Sequence, residues 1–156
     1  RYQLVTGVQT CALPILDDEC PTLTFNTIGR HQSRLVRTRV ASNLSPWLSQ
    51  CEPGDIHTVA ISHGEGRFVC SPELQHQLEV TGRIATQYVD EAGRPSMDWD
   101  VNPNGSVMAI EGITSPDGRV LGKMGHVERR GDGLYKNVPG NKFMPLFESG
   151  VKYFTD

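Results

Sequence analysis

Between residues 34 and 40 apolar and polar positions alternate, with Val36, Thr38 and Val40 on one face and Leu35, Arg37 and Arg39 on the other. A period of two sends successive side chains to opposite faces, so this pattern predicts a strand with one buried and one polar face. HTVAIS, at 57–62, is continuously β-prone and stops at a polar HGEG segment, as a buried strand delivering a loop would. Residues 22–25 and 84–89 predict two further strands. Residues 107–114 and 119–124 predict another pair, joined by SPDG at 115–118 with Pro at i+1 and Gly at i+3 of a type I turn. Asn102-Pro103-Asn104-Gly105 marks a turn, and Ser45-Pro46 opens a loop or short helix around Trp47 and Leu48. Helical spacing occurs twice. Ser71 as N-cap, Pro72 at the first helical position and Leu74 and Leu78 four apart predict a helix over 72–80. Phe143, Phe147 and Val151, with Leu146 and Phe154 beside them, predict an amphipathic terminal helix over 145–154. The sum is an α/β fold: a mixed sheet with flanking helices.

Composition narrows the class. A length of 156 residues suits one domain, and 37% apolar with 21% charged residues is ordinary for a globular chain. The net charge of −3 supplies no bulk attraction to nucleic acid or anionic membrane, and no window is apolar enough to span a bilayer. Cysteines at 11, 20, 51 and 70 fit neither a C-x-x-C metal site nor a compact disulfide framework, which points to a reducing cytoplasm. Gly64 and Gly66 start a G-x-G pattern that no third glycine completes, so the chain has no phosphate-cradling loop of that type. The arginine-rich stretch Arg30, His31, Arg34, Arg37, Arg39 could meet phosphates or an acidic partner, but a solvated strand face is the commoner use of such a run.

The start of the chain reads differently. VTGVQTCALPI at 5–15 is also the translation of a common short-read sequencing adapter. Residues 1–15 are therefore expected to be a non-native leader, with residues 16–156 forming the native part. On that reading Cys11 carries no function.

Two His-x-Glu pairs follow predicted strands: His63-Gly64-Glu65 and His126-Val127-Glu128. In extended backbone, side chains two apart share a face, so each carboxylate can hold the neighbouring imidazole in one tautomer. That is the base-plus-orienter half of a nucleophilic triad. Alone the motif is weak, since most chance pairs are surface pairs. Its place at a strand's end strengthens it, because open α/β sheets put their sites beyond the carboxyl ends of strands.

Longer motifs add specificity. ISHGEGRF (61–68), NPNGS (102–106), AIEGITSPDGRVLGKMGHVER (109–129) and LYKNVPG (134–140) together resemble the class I glutamine amidotransferase domain at the C-terminus of phosphoribosylformylglycinamidine synthase. The ECPTLTFNTIGRHQS segment (19–33) makes the resemblance strongest to the long single-chain bacterial form, over essentially residues 17–154. The resemblance implies the C-terminal portion of a class I glutaminase (flavodoxin-like) fold, so that residues 16–156 are the C-terminal part of the domain. It implies release of ammonia from glutamine through a γ-glutamyl thioester. A synthetase domain of the same parent chain then uses that ammonia, with ATP and magnesium, to amidate formylglycinamide ribonucleotide in purine synthesis. No cofactor is implied for this portion. The family's catalytic His and Glu match His126 and Glu128, and His63, Glu65 and Arg67 fall in a loop close to its site. Val127 departs modestly, standing where Pro or Ser is frequent. The family's thiol sits in a Gly-x-Cys-Asn-Gly elbow, and Cys20, Cys51 and Cys70 all lack that context. The nucleophile is expected to be absent from this chain, which would leave it without thioester chemistry of its own.

Three other readings stay open on the residues alone: another class I glutaminase or cysteine hydrolase, a metal-dependent enzyme using both His-x-Glu pairs on one ion, and a non-catalytic docking module.

Overall fold

The computed structural model describes residues 20–155. The leader expected over 1–15 lies outside the described residues. Strand β1 (Thr22–Thr24) pairs antiparallel with β4 (Arg67–Val69) in a small two-stranded sheet. The main sheet holds β2 (Gln32–Val40), β3 (Ile56–His63), β5 (Ile84–Tyr88), β6 (Ile110–Thr114) and β7 (Leu121–Lys123) in the order β3-β2-β5-β6-β7. Every pairing between these strands is antiparallel. With helices α1 (Pro72–Val80) and α2 (Leu146–Thr155) packed around it, this is the expected α/β class. Among the described residues, no helix is long and apolar enough to cross a membrane.

The alternation in β2 gives the strand its inner face: Val36, Thr38 and Val40 are buried in the core, with Val59 and Ile61 of β3 beside them. Two of its arginines, one from each face, bind elsewhere in the chain. Arg34 donates to the Asp100 carbonyl at 2.6 Å and lies over Trp99, while Arg39 donates to Gln87 Oε1 at 3.3 Å. These two arginines are thus engaged by contacts within the chain. Helix α1 begins as its cap predicts, with the Leu74 amide donating to Ser71 Oγ at 3.2 Å. It lays Leu78 against Phe68, Ile84 and Ile110 in a second apolar cluster.

Three local expectations give way to tertiary constraints. The strand expected over 107–114 begins only at Ile110, because Met108 and Ala109 take left-handed φ values of 51° and 54°. Arg67, expected in a loop, instead opens β4, because β1 offers the 67–69 segment a partner. Helix α2 forms in place but turns a different face inward. It buries Leu146, Ser149 and Gly150, leaving Phe147, Val151 and Phe154 exposed. Gly150 is the reason: with no side chain, it lets the helix approach the ring of Trp47.

The curl of the sheet is what makes the site. After β7 the chain crosses to β3, at the opposite edge, where the His126 amide donates to the Ala60 carbonyl at 2.8 Å in an isolated antiparallel bridge. Residues from the two ends of the strand order therefore meet.

Candidate functional site

His126 and Glu128 lie side by side, with His126 Nδ1 2.7 Å from Glu128 Oε1. Their spacing alone predicts extended backbone. The structure instead places Val127 and Glu128 in a turn, with only His126 in a bridge. The two side chains still converge, and Val127 points the other way, into the main core cluster. Partial burial pushes the Glu128 carboxyl up. Its own backbone N–H, the hydrogen bond and charge of His126, and the Arg129 guanidinium together outweigh this and hold it below its ordinary value. The result is a carboxylate facing Nδ1, which leaves Nε2 as the ring atom able to exchange a proton with a third group.

His63, the last residue of β3, stacks on His126 with ring centroids 5.3 Å apart and planes inclined by 18°. Burial lowers the His63 pKa, and the neighbouring His126 charge lowers it further; the Met124 backbone, acting as acceptor, and the charge of Glu111 oppose both. Its Nδ1 is buried without a hydrogen-bond partner. His63 is thus a neutral platform for the His126 ring. Of the other residues expected near the site, Glu65 is exposed and makes no hydrogen bond or ion pair with the described residues. Arg67 lies in β4 with its Nε buried and unpartnered. The two His-x-Glu pairs therefore contribute unequally: both imidazoles meet, but only Glu128 joins them.

Several residues inside the quoted motifs, none of them expected as site residues, build this corner. Asn26, 2% exposed, clamps the His63–Gly66 loop: its Nδ2 donates to the His63 carbonyl at 2.7 Å, its Oδ1 accepts from the Gly66 amide at 3.0 Å, and its own amide donates to the Gly64 carbonyl at 3.0 Å. Asn102 folds the NPNGS turn back on itself through the Gly105 and Ser106 amides. Ser106 Oγ in turn accepts from the Phe68 amide at 3.1 Å. Beneath the site lies a buried ion pair, Glu111 to Lys123 at 2.6 Å. The signal for it was present in the sequence as a lone acid inside the apolar run AIEGIT, facing a lysine across the SPDG hairpin.

Cys51 and Cys70 sit in environments unsuited to a nucleophile. Cys51 is buried in the core and its pKa is pushed up to about 11, chiefly by burial. Burial also raises the Cys70 thiol. An attacking sulfur needs the opposite environment. A shared metal is no better supported, because no three His, Cys, Asp or Glu side chains gather among the described residues. Moreover, two imidazoles stacked face to face do not aim their in-plane lone pairs at one ion.

Comparison with known proteins adds sequence relationships to this geometry. The family model described as a CobB/CobQ-like glutamine amidotransferase domain matches residues 3–154. A curated relative, phosphoribosylformylglycinamidine synthase subunit PurQ of Synechococcus sp. (strain JA-2-3B'a(2-13)), is 38% identical over 119 residues, covering 76% of this chain and 47% of that one. The PurQ subunit of Thermomicrobium roseum is 42% identical over 97 residues, covering 62% of this chain and 40% of its own. Among solved structures, PurLQS from Thermotoga maritima superposes with a TM-score of 0.63 at 25% identity, covering 87% of this chain and 54% of that one. The chain spans about half the length, or less, of the curated relatives it matches.

Proposed function

The chain belongs to the CobB/CobQ-like glutamine amidotransferase domain family, and on that premise we propose that it is the glutaminase portion of phosphoribosylformylglycinamidine synthase, in its long single-chain bacterial form. The names of the PurQ relatives and the PurLQS neighbour support the pathway, and the 19–33 segment supports the long form. The observation that carries the chemistry is the 2.7 Å contact between His126 Nδ1 and Glu128.

In this reading a cysteine thiol loses its proton to His126 Nε2, and the sulfur attacks the carboxamide carbon of glutamine. Glu128 accepts the hydrogen bond from Nδ1–H and balances the imidazolium that forms. His126 then returns the proton to the departing nitrogen as ammonia leaves, and water hydrolyses the γ-glutamyl thioester to glutamate. The elevated thiols of Cys51 and Cys70 make neither a candidate for the sulfur. The nucleophile would come from outside the described residues. His63 would pack the His126 ring from one side, with Glu65 in the loop that follows and Arg67 at the start of β4 facing substrate or the synthetase. The ammonia would pass to that synthetase part, where ATP and magnesium drive amidation of formylglycinamide ribonucleotide. The setting would be the cytoplasm.

The test joins residues 16–156 to an upstream segment carrying the thiol elbow and measures ammonia release from glutamine. His126→Ala is expected to lower kcat by about two to four orders of magnitude with the protein still folded. An undiminished rate in that variant would refute the assignment.

A further inference from the structure

Three consecutive backbone amides lead into the candidate base, and each has a fixed acceptor. Met124 N–H donates to the Glu111 carbonyl at 3.0 Å, Gly125 N–H to Glu111 Oε1, and His126 N–H to the Ala60 carbonyl at 2.8 Å. One residue, Glu111, supplies two of the three. Its side chain is wholly buried and also takes Lys123 Nζ at 2.6 Å and the Thr86 hydroxyl. The chain passes so close over this carboxylate that a Cβ on Gly125 would lie 2.8 Å from Glu111 Oε1 and 2.6 Å from Val59 Cγ2. Glycine is the residue that fits there.

A buried ion pair is a poor device for stability alone. Desolvating both charges costs much of what their attraction returns, and an apolar pair of the same shape often serves a core equally well. What an anion offers that an apolar side chain cannot is a fixed acceptor for a backbone N–H, here the one immediately before His126. We propose that Glu111, held in place by Lys123 and Thr86, is a positioning residue for the site: by anchoring the Met124 and Gly125 amides it fixes the direction in which the His126 ring leaves the backbone, and so its contact with Glu128. Glu111 touches neither substrate nor the reacting atoms. It acts through the backbone, and the inference rests on His126 and Glu128 being the base and its orienter.

The experiment uses the chain itself, labelled with 15N, and reads the ring nitrogens of His126 and the amide of Gly125 by NMR at a pH where the ring is neutral. The wild-type chain is expected to show a single Nδ1–H tautomer and a Gly125 amide shifted downfield and protected from exchange. Glu111→Met/Lys123→Met removes both charges and the carboxylate acceptor while keeping the approximate shape of the pair. It is expected to fold, to lose the protection and downfield shift of Gly125, and to show a mixture of His126 tautomers. Glu111→Asp, which keeps the charge on a shorter arm, is expected to restore the tautomer in part. If the double variant folds and its His126 tautomer matches wild type, the pair is only a packing element and the inference is overturned. If the variants fail to fold, the cluster belongs to the core rather than to the site, and the inference is equally overturned. A wild-type ring without the Nδ1–H tautomer would instead overturn the proposed base and orienter, which keeps the two failures apart.

Discussion

Gly150 sits inside α2, where sequence logic recommends alanine: an interior helical Gly→Ala change gains about 1 kcal/mol of backbone entropy and propensity. The structure reverses the sign. A Cβ on residue 150 would be nearest to Trp47 Cζ3, and would lie 2.6 Å from Cε3 and 3.2 Å from Cη2 of the same ring. The ring has little freedom to withdraw, because its Nε1–H donates to the Arg119 carbonyl at 2.8 Å and Phe154 packs against it edge-on at 6.3 Å. Overpacking of this kind costs about 1–3 kcal/mol, and displacing the indole forfeits a hydrogen bond worth about 1 kcal/mol. Set against the helix gain, Gly150→Ala should destabilise the chain by about 1–3 kcal/mol net. Urea unfolding followed by circular dichroism measures this as a lower midpoint at unchanged slope, and Tm should fall by about 2–4 °C per kcal/mol. The control is the same change in a Trp47→Leu background. With the ring gone, Gly150→Ala should stabilise by about 1 kcal/mol. A stabilised single variant, or a loss that persists without the indole, would refute the account of how α2 docks.

Two further outcomes follow from other corners of the molecule. Ser71→Ala removes the acceptor for the Leu74 amide and should cost about 1 kcal/mol, read by the same urea titration, whereas Ser71→Asp should cost little. His57 is 3% exposed, and burial, its largest influence, lowers its pKa from 6.5. The unfolded chain therefore binds more protons than the folded one as pH falls. Stability is full above the unfolded value near 6.5 and is lost progressively below it. Urea midpoints measured between pH 7.5 and 5.5 should decline, and His57→Gln should flatten that decline; an unchanged slope in the variant would show that other groups carry it.

How much of this was visible in the sequence depends on how local the cause was. The alternation of β2, the cap and proline that start α1, and the SPDG hairpin are decided within a few residues, by side-chain periodicity and turn chemistry, and they stand as read. The pairing of His126 with Glu128 also survived, although a turn rather than a strand brings it about. Which face of α2 is buried was not local. Periodicity marked Phe143, Phe147 and Val151, but the approach of Trp47 favoured the side where Gly150 offers no side chain.

The stacking of His63 on His126 and the reach of Glu111 to Gly125 could be read from no motif taken alone. They exist because the sheet curls until the chain leaving β7 meets β3 at the far edge. Sequence by itself determined most of the strands, both helices and the neighbouring positions of His126 and Glu128, since those follow from neighbours along the chain. Only the tertiary structure decided which of them meet, because the twist that closes one sheet edge on another accumulates over all five strands and belongs to none of them.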